Sequence, residues 1–162
     1  MRRLFLLLIL SVVLVACSSI ECPIENTVAV NYAVMRYQNG EEVADTLNDT
    51  LWVWSRRADG DDTLLYNRGV NVRSFSLPAS YQGPQDTLIF LTVDTLQNYD
   101  VDTVWISKED IPHFESVDCA VRYFHKITDV RSTHEAIDTI IINNSSVTYD
   151  SSVKHLYIHF KK

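Results

Sequence analysis

The chain has 162 residues, 21 acidic against 14 basic, a formal net charge of −7 and only four glycines. That length suits one domain with a real core. The acidic balance argues against nucleic acid and against lying on an anionic bilayer, since both need clustered Lys and Arg.

The N-terminus carries an address. Arg2-Arg3 precede an apolar run over 4–16 that ends in small residues and Cys17. A basic start and an apolar segment too short to span as a helix describe a secretory signal peptide, residues 1–16. Leu14-Val15-Ala16-Cys17 resembles the lipobox of bacterial lipoproteins. The resemblance implies that Cys17 becomes the lipidated end of the mature chain. Each buried methylene adds about 0.8 kcal/mol, so several acyl chains hold it almost permanently. Losing Arg2 and Arg3 takes the formal charge to −9, and the expected membrane contact is the lipid alone. Residues 17–25 are the expected tether and 26–162 the domain. Ser18-Ser19-Ile20-Glu21 lacks an aspartate after the cysteine and has a single acidic residue. By analogy this favours the outer membrane, in its periplasmic leaflet rather than at the cell surface.

With Cys17 carrying lipid, two cysteines remain, Cys22 and Cys119. In an oxidising compartment a disulfide between them is the economical reading. Closing a loop of about 100 residues would remove about 4–5 kcal/mol of unfolded-state entropy. No Cys-x-x-Cys is present to suggest a catalytic thiol.

From residue 27 onward the pattern is that of strands. The stretch 27–37 runs to Asn39-Gly40, a hairpin dipeptide whose members tolerate positive φ. Strands are then predicted at 42–46, 50–55, 63–67, 70–77, 87–93, 101–107, 117–128, 137–142 and 153–160. Breaks are expected at Asp59-Gly60-Asp61-Asp62, Pro78, Gly83-Pro84, Pro112 and 143–146. In the last strand Leu156, Ile158 and Phe160 alternate with His155, Tyr157 and His159. No segment of ten or more residues shows a helical face. Short strands that must bury their faces on one another imply an all-β, single-domain antiparallel β-sandwich, with a small β-barrel as the alternative.

Asp-Thr followed by an aliphatic residue occurs seven times, at Thr46, Thr50, Thr63, Thr87, Thr95, Thr103 and Thr139, where random order predicts about one such Asp-Thr pair. Aspartate turns the chain and β-branched threonine begins a strand, which accounts for most of them. The same triplet resembles the acceptor motif for O-glycosylation in exported proteins of Bacteroidota. Thr46, Thr50 and Thr63, near turns, are the candidates for it.

Residues able to carry chemistry are scattered. His155 and His159 lie on one face of a strand but about 13 Å apart, too far to share a metal, and are expected on the solvent face. Asp59-Gly60-Asp61-Asp62 and Asn98-Tyr99-Asp100-Val101-Asp102 lack the twelve-residue calcium-loop pattern. There is no Gly-x-Ser-x-Gly elbow. Neither metal, cofactor nor catalytic residue is therefore expected. Trp52 and Trp54 share one face of a strand, opposite Leu51 and Val53. If the aliphatic face is core, the indoles form an aromatic binding patch; if it is reversed, they are core residues, as the burial of most tryptophans favours. Trp105 is a third indole for such a platform.

Ser76-Leu77-Pro78, Asp86-Thr87-Leu88-Ile89-Phe90, Ser116-Val117-Asp118-Cys119 and the closing His155-Leu156-Tyr157-Ile158-His159-Phe160 together resemble a lipoprotein family of Bacteroidota, domain of unknown function 6452. The resemblance implies an exported β-rich domain with Cys22 and Cys119 paired, and no known activity. The expected function is that of a lipid-anchored cell-envelope protein that binds or supports an assembly without catalysis. Its membrane contact is the anchor, and its partner an envelope protein or a glycan. A surface glycan-binding lipoprotein would need Trp52, Trp54 or Trp105 exposed together in a groove. An envelope hydrolase would need carboxylates or histidines converging in a pocket.

Overall fold

A computed structural model describes residues 28–57, 59–117 and 119–161. Eleven strands follow one another: β1 (Ala29–Gln38), β2 (Glu41–Ala44), β3 (Thr50–Ser55), β4 (Thr63–Gly69), β5 (Ser74–Pro78), β6 (Gln85–Val93), β7 (Tyr99–His113), β8 (Arg122–Ser132), β9 (Ile137–Ile142), β10 (Ser146–Val147) and β11 (Leu156–Phe160). Among the described residues there is no helix. The expected all-β sandwich is what the chain forms.

Two sheets make it. The smaller is ordered β2-β1-β11-β9, with β5 also paired to β1; the larger is ordered β10-β8-β7-β6-β3-β4. Neighbours run antiparallel except β1 and β11, which are parallel with Tyr32 opposite Leu156. A parallel pair needs a long connection, and here almost the whole domain lies between the two strands. The turn from β1 to β2 has Asn39 at φ 56° and Gly40 at φ 84°. Both central residues are left-handed, as a type I′ hairpin requires.

Pro112 does not break a strand as expected: it lies near the end of β7, opposite Tyr123 of β8. β6 reaches β7 no further than Gln85 opposite Ser107. Beyond that point β7 is an edge strand, where a missing N–H is tolerated.

Each sheet turns one alternating set of side chains inward. Val30, Tyr32, Val34, Phe75, Leu77, Leu156 and Ile158 from the smaller sheet are buried with Leu51, Val53, Leu88, Phe90, Val104, Ile106 and Ile127 from the larger. Tyr32 stacks on Phe75 at 4.5 Å between ring centres, and Phe90 meets both rings at an angle.

Candidate functional site

The inward set of β3 decides where its tryptophans go. Leu51 and Val53 are fully buried, so Trp52 and Trp54 project from the outer face of the larger sheet, each half-exposed. The favoured alternative, that the face is reversed and the indoles are core residues, is overturned. Val104 and Ile106 are buried on β7, which turns half-exposed Trp105 to the same outer face. Trp52 lies opposite Leu91, and Trp54 lies opposite Ile89 on one side and Leu64 on the other. Trp105 lies between Thr87 and Arg131, whose guanidinium sits 5.9 Å from the indole centre. Outward positions along a strand recur at about 7 Å and strands lie about 4.8 Å apart, so Trp105 is about 12 Å from Trp54. Among the described residues no ring-on-ring contact involves these indoles. Their faces are therefore not spent on one another. Flat indoles flanked by aliphatic side chains suit a ligand with an apolar C–H face, such as a sugar ring.

A second cluster sits inside one end of the sandwich. Lys108 is buried; its Nζ donates to Asp110 Oδ1 and to the Gly83 carbonyl, both at 2.9 Å. His125 Nδ1 lies 2.7 Å from the same Asp110 oxygen. Burial opposes the Asp110 charge, but the bonds from Lys108 and His125 outweigh it and hold this carboxyl below the usual range. Asp86, whose Oδ2 accepts from Ser80 N at 3.2 Å, is pushed up, chiefly by burial, against the pull of Lys108. His125 borders a cavity of about 480 Å³ with Tyr81, Tyr123 and Arg122, and Asp86 lines another of about 620 Å³. Sequence reading missed this group. Its signal was present: Asp102, Val104, Ile106, Lys108 and Asp110 share the inward phase of β7, and the predicted strand stopped at 107.

The remaining candidates are dispersed. Thr63 is exposed at the first position of edge strand β4, whereas Thr50 is half-buried between β4 and β6. Thr46 is half-buried and its hydroxyl accepts from Arg73 Nε at 3.1 Å. Thr95, exposed in the β6–β7 turn, is more open than Thr46 or Thr50. Cys119 is half-buried in the β7–β8 connection; Cys17 and Cys22 lie outside the described residues. His155 and His159 are buried, not on a solvent face. β11 is a central strand whose outer face is also covered: Asn31 N donates to His155 Nδ1, and His159 Nε2 lies 2.9 Å from Glu42 beneath the Tyr37 ring. Asp59 caps its own turn through Asp61 N, and Asp102 is buried on β7 whereas Asp100, two residues earlier on the same face, is exposed at the strand's end.

These features define an all-β sandwich with an aromatic outer sheet face and a buried ionic cluster at one end. The chain belongs to a family of unknown function, DUF6452, whose model matches residues 50–160, from β3 through β11. No curated protein and no solved structure matches it.

Proposed function

We propose that this protein is a lipid-anchored binding module of the cell envelope and that its ligand lies on the outer face of the larger sheet. The outward placement of Trp52 and Trp54 beside Leu91 and Ile89 carries the reading. Three half-exposed indoles on one sheet favour a glycan, stacked through its C–H faces and reached by Arg131 at the margin. No metal or cofactor enters this reading. Cys17 bears the lipid and Cys22 is paired with Cys119. The pairing is supported by position: Val28 borders the same cavity as Val121 and Arg122, and the six residues from Cys22 to Val28 span at most about 20 Å. Thr63 is the exposed member of the three candidate acceptors.

The test is titration of the mature protein with soluble polysaccharides and peptidoglycan fragments, read by tryptophan fluorescence. Trp52→Ala and Trp54→Ala should each weaken binding about tenfold, a stacking contribution near 1.4 kcal/mol. Unchanged affinity in both would remove this face from the function. Protease shaving of intact against lysed cells tests the periplasmic leaflet, where protection until lysis is expected.

One observation favours a second reading, an envelope hydrolase. Asp110 engages His125 Nδ1 as an orienting carboxylate would, beside a cavity. Yet Lys108 and Gly83 complete that cluster internally, which makes it first a structural charge network. Turnover of reporter esters or glycosides that disappears in His125→Ala would select this second reading.

A further inference from the structure

Large apolar side chains stand free at the β7–β8 end of the sandwich. Val117 is 98% exposed and Phe114 67% exposed in the connection itself. Val121 and Tyr123 follow on the return, and Tyr81, also 67% exposed, stacks on Tyr123 at 5.8 Å from the neighbouring β5–β6 loop. The opposite end also exposes apolar residues, Leu96 and Tyr99 in and after the β6–β7 turn. At that end, however, four carboxylates, Asp49, Asp94, Asp100 and Glu135, line one cavity together with Lys161, whereas Glu115 is the exposed carboxylate among the described residues of the β7–β8 connection. A bilayer surface accepts aromatic and aliphatic side chains but repels clustered carboxylates.

The path of the chain distinguishes the two ends. Val28 shares its cavity with Tyr81, Val121 and Tyr123, so β1 begins at the apolar end. Eleven residue steps lead from Cys17 to Val28, a reach of at most about 40 Å. Through the Cys22–Cys119 pairing only five residue steps, from Cys17 to Cys22, separate the lipid from the hairpin, about 17 Å. β7 alone, at fifteen residues, carries the acidic end roughly 45 Å away.

We propose that the β7–β8 end, through Phe114, Val117, Val121, Tyr123 and Tyr81, rests in the headgroup region of the bilayer that holds the anchor. The inference rests on the lipid-anchor reading given above. Phe114 and Val117 enter the acyl boundary, while the tyrosines keep their hydroxyls at headgroup level. The domain then stands upright on its anchor, with the tryptophan face to the side and open to solvent.

The test is site-specific photocrosslinking of the full lipoprotein in intact cells, with p-benzoylphenylalanine placed at Val117 or at Leu96. Adducts are identified by mass spectrometry, and membrane partition of the unirradiated protein is followed in parallel. Phospholipid adducts at 117 and their loss at 96 are expected. Membrane-bound protein with no lipid adduct at 117, or equal adducts at both positions, overturns this inference and leaves the anchor intact. Adducts at 117 to a second copy or to another protein also overturn it. Protein absent from the membrane fraction overturns the anchor reading and this inference with it.

Discussion

Asp102 joins the larger sheet to the start of β9 in the smaller one. Fully buried on β7, it accepts from Thr133 Oγ1, Glu135 N, Ala136 N and Ile137 N, all within 2.8 Å. A carboxylate is needed because every group facing it is a donor. Asp102→Asn would turn an amide N–H toward one of those donors, and a loss of about 2–4 kcal/mol is expected in chemical denaturation. His155 makes a second residue-level prediction. Its Nδ1 accepts from Asn31 N, and burial, the largest influence, lowers its pKa from 6.5 against the opposing pull of the Ser146 backbone. The unfolded chain therefore binds a proton first as pH falls. Stability associated with His155 is fully present above pH 6.5 and is lost on descent through the lower folded pKa. Denaturation midpoints measured at pH 7.5 and pH 5.5 should fall on acidification, and the difference should shrink in His155→Asn.

At the scale of elements, alternation explains both what was legible and what was not. On β3 it correctly put Leu51 and Val53 opposite Trp52 and Trp54; choosing the inner face needed the other sheet, because apolar residues occupy both sides. The substitutions separate the faces: Leu51→Ala should cost about 3 kcal/mol through a core cavity. Trp52→Ala should cost less despite removing a larger side chain, because its indole is only partly buried. Equal losses in equilibrium unfolding would contradict the assignment of faces. On β11 the same alternation misled. His155 and His159 read as solvent-facing, yet Glu42, Tyr37 and the chain around Asn31 cover them through contacts more than 100 residues apart in sequence. The Asp-Thr repeat was legible as chain-turning chemistry at Asp94, which accepts from Leu96 N and Asn98 N. At Asp102 the carboxylate instead fastens the β8–β9 connection, 33 residues further along the chain at Glu135, which no local pattern records.

At the scale of the molecule, the start of β1 and the return of the β7–β8 hairpin lie at the same end of the sandwich. β1 is central to the smaller sheet, paired with β5, β2 and β11, so whatever holds its leading end restrains three strands at once. The proposed Cys22–Cys119 bond holds it to the tip of the longest hairpin, β7–β8, in the other sheet. A bond there closes a loop of about 100 residues and limits the unfolded chain far more than the folded one. The chain-entropy value of about 4–5 kcal/mol is an upper figure, and engineered bonds often deliver less. The same bond would keep the proposed lipid near the apolar hairpin tip, so that stability and orientation would depend on one linkage. Reduction of the mature protein should lower its unfolding free energy by about 2–4 kcal/mol. Cys22→Ser should reproduce that loss and be insensitive to reductant. It should also lengthen the free tether from five residue steps to eleven and lower the yield of lipid adducts at Val117. If the midpoint is indifferent to reductant while Cys22 and Cys119 both alkylate without it, the domain is held by its core and Asp102 alone, and the upright orientation must come from the apolar tip.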